Sequence, residues 1–281
     1  MSDFLTQFGM IDAQVPWLMP YRHIHHAFKD SVLVDELSDW LNAYFNQQAI
    51  TPMLHNTNQR LIFVSQDDLP HGTAYEMHIH QTRNIPTRNN LHDWFGACIW
   101  SVFPKSKSLL NHAHIREMAK DMNARGRNRV RDAITVFDEN GVILAVSDDC
   151  IAQALKQFDW QNALIAPRHH WHDPKRSSAD DKAQVFIFGH ALLEQLVRPR
   201  KSLCSHALTV KVSATFFAKS EAEKLTALDN LLAQKLDDWL IDGATPKDLS
   251  PLPILGVPYF WEGQDASFYD DDFVFRKGRR A

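Results

Sequence analysis

The chain has 281 residues, 44% of them apolar and 23% charged, with a net charge of -4, a balance that excludes disorder and collagen-like repeats and suits one large domain or two small ones. Its 10 glycines never stand in a G-x-G arrangement, so glycine-rich phosphate cradles of the dinucleotide or P-loop kind are excluded, and with them any nucleotide cofactor motif. Histidine (15), tryptophan (8) and phenylalanine (17) are abundant instead.

The stretch from Met1 to Tyr21 lacks both the basic region and the apolar run of a signal peptide. The densest apolar stretch, Trp94 to Phe103, is about half the length that crosses a bilayer. Cys98, Cys150 and Cys204 form no C-x-x-C pair and are expected to be small buried residues in a reducing compartment. Together these features predict a cytoplasmic protein that does not enter a membrane.

From Ser31 to Gln48, Leu33, Val34, Leu37, Trp40, Leu41, Tyr44 and Phe45 form an amphipathic helical stripe. Arg60 to Ser65 reads as a buried strand. Ala74 to His80 alternates, with Tyr75, Met77 and Ile79 on one face and Glu76, His78 and His80 on the other, so the two segments are expected to pair as a hairpin. Asn89 or Asn90 can cap a helix that Pro104 ends or kinks, and a second helix should run to about Ala124 with Gly126 as its stop. The run from Arg127 to Ser147 reads as a second hairpin, with Asp138 opening its turn. Ser147 should cap a short helix.

The polar stretch from Pro167 to Lys182 reads as a linker carrying His169, His170 and His172. Gln184 to Phe188 is a strand feeding a helix that starts at Gly189-His190 and stops before Pro199. His206 to Ser213 is another strand. Ser220 with Glu223 makes a capping box for a helix striped by Leu225, Leu228, Leu232, Leu236 and Trp239, closed by Gly243. Residues 245–281 have no period and are expected to wrap the surface irregularly. Strands in hairpins and helices in clusters predict an α+β fold: a mostly antiparallel mixed sheet with clustered helices packed on it, in a single domain over 1–281.

Candidate chemistry falls in five places. On the predicted strand, Glu76, His78 and His80 would share a face with the ligand types of a two-histidine, one-carboxylate metal site, or form a plain solvent face. Between Pro86 and Trp94, Arg88, Asn89, Asn90, His92 and Asp93 cluster at a helix N-terminus, where an anion is favoured and where capping is the structural alternative. On the second helix Asn111 and His114 share a face, whereas His112 points elsewhere. Arg127, Arg129 and Arg131 would alternate along a strand as a guanidinium comb, with Asp132 and Asp138 flanking it. His190 at a strand-to-helix turn is placed as a general base, a metal ligand or a buried helix-start residue.

The runs Tyr75-Glu76, IPTRNNLHDWFGACIW, FPKSKSLLN, RGRNRVRDAITVFDENG, FGHALLEQL, LPILGVP and FYDDDFVFR together resemble a bacterial domain-of-unknown-function family, numbered 3025, over residues 20–276. The resemblance carries no activity with it. It implies that Glu76, Pro86, Thr87, Arg88, Asn90, His92, Asp93, Asn111, Arg131, Asp132, Asp138 and His190 belong to the shared pattern, and that His78 and His80 do not.

The leading expectation is a hydrolase-like enzyme acting on a small anionic substrate bearing phosphate or carboxylate. Arg88, Asn90, Asn111 and Arg131 would bind the substrate, and His92, Asp93, Glu76, Asp132 and His190 would do the chemistry. A divalent metal is a candidate cofactor, with Glu76, His92 and His190 as its candidate ligands. From Arg83 to Arg131 ten Lys or Arg stand against three acids, so one alternative is a nucleic-acid or anion-binding module using segment 83–131 with Trp94 and Trp100 as stacking platforms. The other is a structural or regulatory protein whose polar residues form a buried network. No feature sets an oligomeric state.

Overall fold

In the computed structural model, which describes residues 2–31, 36–121, 128–176 and 180–278, the chain opens with α1 (Ser2–Phe8), a 3-10 turn (Pro16–Tyr21), α2 (Arg22–Lys29) and α3 (Leu37–Gln47). The strand expected at 60–65 is β1 (Ile62–Ser65). Where a second strand was expected stands a helix, α4 (Tyr75–Thr82), and the partner of β1 is β2 (Asn84–Thr87), aligned parallel with Phe63 opposite Ile85. A parallel pair cannot be closed by a tight turn, so the intervening chain must cross over, and α4 makes that crossover. Arg83 then ends the helix in the left-handed region at φ 66°.

Asn90 caps α5 (Leu91–Val102), and Pro104 opens the next helix, α6 (Pro104–Asp121), rather than kinking the first. Proline is tolerated in a first turn because the N–H it lacks has no intrahelical partner there. The stop expected at Ala124 and Gly126, together with Arg127, lies outside the described residues.

The second expected hairpin is also corrected. Its first half is α7 (Arg129–Asn140), capped by Asn128, whose side chain accepts from the Arg131 N–H. Val130, Ala133, Ile134 and Phe137 form the helical stripe of α7, and only the second apolar run is a strand, β3 (Gly141–Val146). Arg129 and Arg131 therefore sit in the first turn of a helix and diverge, so no strand-borne comb forms. After α8 (Asp149–Lys156), capped by Asp148, come β4 (Ala183–Ile187), α9 (His190–Gln195), β5 (Cys204–Lys211) and α10 (Glu221–Ile241). The capping box of α10 and the left-handed Gly243 after it form as expected. The C-terminal stretch contributes β6 (Ser250–Pro253) and α11 (Ala266–Tyr269).

The main sheet runs β4-β3-β5-β6, antiparallel at β4/β3 and β5/β6 and parallel at β3/β5. All six residues of β3 are buried, which is why its sequence is a continuous apolar run instead of an alternation. Helices α7, α8, α9 and α10 pack on this sheet, completing an α+β fold with a mixed sheet. Of the three free cysteines, Cys98 is buried as expected, whereas Cys150 and Cys204 are exposed. No helix among the described residues is long and apolar enough to cross a membrane.

Candidate functional site

Strand β2 delivers the chain to α5 through Arg88, Asn89 and Asn90. Asn90 is extended, and its side chain accepts from the Asp93 N–H at 2.8 Å, satisfying a free donor of the first turn. The Asp93 carboxylate folds back on Arg88, accepting from its backbone N–H at 2.6 Å, its Nε at 3.0 Å and its Nη2 at 2.9 Å. That two-toothed pairing holds the guanidinium charged. His92, between cap and clamp, is fixed by its Nδ1, 3.1 Å from Glu194 Oε2 of α9.

His190 is held by a close approach of two helix ends. Gly189 donates its N–H to the Gly141 carbonyl at 2.8 Å. A Cβ on Gly189 would stand 2.5 Å from the Glu139 carbonyl and 2.6 Å from Asn140 Cα, so only glycine lets the start of α9 press against the end of α7. The contact sets His190 Nδ1 2.8 Å from the Asp138 carbonyl oxygen. A carbonyl only accepts, so this nitrogen carries the proton and the lone pair of His190 lies on Nε2. That Nε2 meets His92 Nε2 at 3.0 Å and Glu139 Oε2 at 3.7 Å. The ligating atoms of His92, Glu139 and His190 all lie within 4.8 Å of one another.

Burial lowers the pKa of His190 to about 4, against the pull of Asp138. Burial raises Glu139, and neighbouring Asp138 raises it further. Asp138 itself is pushed up by burial but held below its usual value by Lys107 and His190, with Lys107 Nζ 2.7 Å from its carboxylate.

These groups open on a cleft of about 340 Å³ lined by residues of β1, β2, α4, α5, α6, α7 and α9. Its charged lining is Glu76, Arg88, Asp93, Lys107, Asp138 and Glu139, four carboxylates against two cations. An adjoining hollow shares Glu76, Trp100 and Lys107 and adds Asn111 and His114.

Of the residues singled out from sequence for chemistry, Glu76, Arg88, His92, Asp93, Asp138 and His190 line the cleft, and Asn111 lines the adjoining hollow, donating to the Glu76 carbonyl at 3.2 Å. Asn90 serves as the helix cap. Arg131, whose Nε lies 3.4 Å from His114 Nε2, and Asp132 line neither space. The shared strand face of Glu76, His78 and His80 does not exist: on α4, His78 is buried, and the carboxylate grouped with the two cleft imidazoles is Glu139, not Glu76. Trp94 and Trp100 are buried; Trp100 lines the wall of the cleft, and neither is an exposed stacking platform.

Glu139, Glu194 and Lys107 were missed. The stripe of α7 would have revealed Glu139 as a helix-end residue beside Gly141. Glu194 stands four residues after His190, on the same helical face.

A family model described as "Protein of unknown function (DUF3025)" matches residues 61–279, a span that contains every residue lining the cleft. No curated protein and no solved structure matches.

Proposed function

Given that the chain belongs to the DUF3025 family, whose description names no reaction, we propose from the cleft itself that it is a hydrolase-like enzyme acting on a substrate that bears a phosphate or carboxylate group. The observation that carries this reading is the pair His92 and His190, Nε2 to Nε2 at 3.0 Å, each ring anchored through its other nitrogen. Hydrolysis needs a fixed electron-pair donor that either takes a proton from water or holds an ion that acidifies it, and two oriented imidazoles beside a carboxylate supply such donors.

In the reaction, the water oxygen bonds to the electrophilic phosphorus or carbonyl carbon, and the bond to the leaving group breaks. The Nε2 of His190 takes the water's proton, which reaches the leaving group by way of the cleft's carboxylates, Glu76 among them. Arg88, clamped by Asp93, presents the remaining edge of its guanidinium to the substrate's anionic group. Asn111 braces α4, and so Glu76, through the Glu76 carbonyl.

The nucleic-acid alternative draws less support. Its tryptophans are buried, and Lys107 and Lys120 are paired with Asp138 and Glu117. An open cleft favours a site over a sealed structural network.

The test is a panel of chromogenic phosphomonoesters, phosphodiesters and carboxylic esters. At least one should be turned over by the wild-type protein, and His190→Ala should lower kcat/KM about 100-fold or more. Turnover undiminished in His190→Ala, or none across the panel with divalent ions supplied, would overturn the reading.

A further inference from the structure

We propose that His92, His190 and Glu139 bind one divalent first-row transition-metal ion. This deepens the reading of the cleft as a place where water is activated, and rests on it only for the ion's purpose, not for its binding.

The proton inventory is the first argument. The Asp138 carbonyl requires the proton of His190 on Nδ1, and the Glu194 carboxylate is best met by a proton on Nδ1 of His92. Two neutral rings so arranged point lone pairs at each other across 3.0 Å. A cation held by both lone pairs relieves the repulsion.

Geometry and charge favour the metal. Two imidazole nitrogens 3.0 Å apart, each about 2.1 Å from an ion, subtend about 90° at it, the angle of neighbouring positions in a six-coordinate shell. Glu139 Oε2, 3.7 Å from His190 Nε2, supplies a third ligand, leaving positions for water and substrate. With four carboxylates against two cations, the charge of the cleft favours an added cation. Glu194 and the Asp138 carbonyl stand where the orienting partners of metal-bound imidazoles stand. Imidazole donors select a transition ion over Mg²⁺ or Ca²⁺, which prefer all-oxygen shells. When bound, the ion lowers the pKa of its water and draws in the substrate's anionic oxygen.

The experiment uses tag-free full-length protein stripped with chelator and titrated with Co²⁺, followed by its visible absorption, and with Zn²⁺ and Mn²⁺ by calorimetry. One equivalent should bind the wild type. His92→Ala and His190→Ala should abolish that equivalent, and Glu139→Gln should weaken it. Glu194→Gln, which keeps the shape and touches no ion, should weaken it about 10- to 100-fold. His172→Ala, a histidine paired with Asp181, should bind as the wild type does. Circular dichroism of each variant separates loss of the site from loss of the fold. No stoichiometric binding, or binding unchanged in both Glu139→Gln and Glu194→Gln, overturns the metal site. Metal-free protein that still hydrolyses, and stops on His190→Ala, overturns the metal and leaves the hydrolytic reading. One tightly bound equivalent without turnover of any ester does the reverse.

Discussion

His25 and His190 are both buried, and burial lowers each to a pKa of about 4, but their surroundings differ. His190 has a partner at both nitrogens. His25 stacks on Phe8 at a ring separation of 4.6 Å, and its Nδ1 has no hydrogen-bond partner; with His26 and Lys29 adding repulsion to burial, it is a neutral core residue. Its folded pKa lies below the unfolded value of about 6.5, so the unfolded chain binds more protons between the two. Its contribution is intact above pH 6.5 and is lost as pH falls toward 4. Between pH 7 and pH 5 the wild type should lose about 2 kcal/mol through this residue, and His25→Phe should remove that part of the loss. Urea unfolding of both proteins at the two pH values measures it, and parallel slopes would count against a neutral buried imidazole.

At the scale of elements, each of the two corrected segments carries a local pattern that fits more than one structure. A seven-residue alternation and a short helix fit Ala74 to His80 equally well, and the choice was made by the parallel pairing of β1 with β2, which is not local. In α7 the helical stripe was present, yet Asp-Glu-Asn-Gly before β3 carries turn chemistry of its own; the helix runs to Asn140 with Gly141 already in the strand. The abutment of α7 and α9 is the element contact on which the cleft depends. Gly189→Ala should cost about 1–3 kcal/mol, because its Cβ meets backbone that cannot rotate away, and should weaken ion binding by moving His190. Gly96→Ala, inside α5 with nothing within 4 Å of the added carbon, should instead stabilise by about 0.5–1 kcal/mol. Thermal melts of the pair check both signs.

Across the whole molecule, the segment ahead of the family match is part of the fold. Phe8, Phe28 and Trp40 surround Trp94 of α5 at ring separations of 5.2, 4.9 and 5.9 Å, and Tyr21 donates to the carbonyl of Ile187 at the end of β4. A chain begun at residue 61 should therefore expose the aromatic flank of α5 and fail to give a cooperative melt or a monodisperse elution; a cooperatively folding fragment would show that the family-matched span is self-sufficient. Much of the architecture was legible from sequence because its cause is local: the Asn90 cap, the capping box of Ser220 and Glu223, the apolar run of β3 and the strand-to-helix turn at Gly189-His190 each depend on neighbours a few residues apart. Half of the site was legible for the same reason, since a helix start displays Arg88, His92 and Asp93 together. That His92 meets His190 across 98 residues, that Glu139 and not Glu76 joins them, and that Asp93 is occupied by Arg88 were decided only by the tertiary structure, because long-range packing of helix ends leaves no period in the sequence.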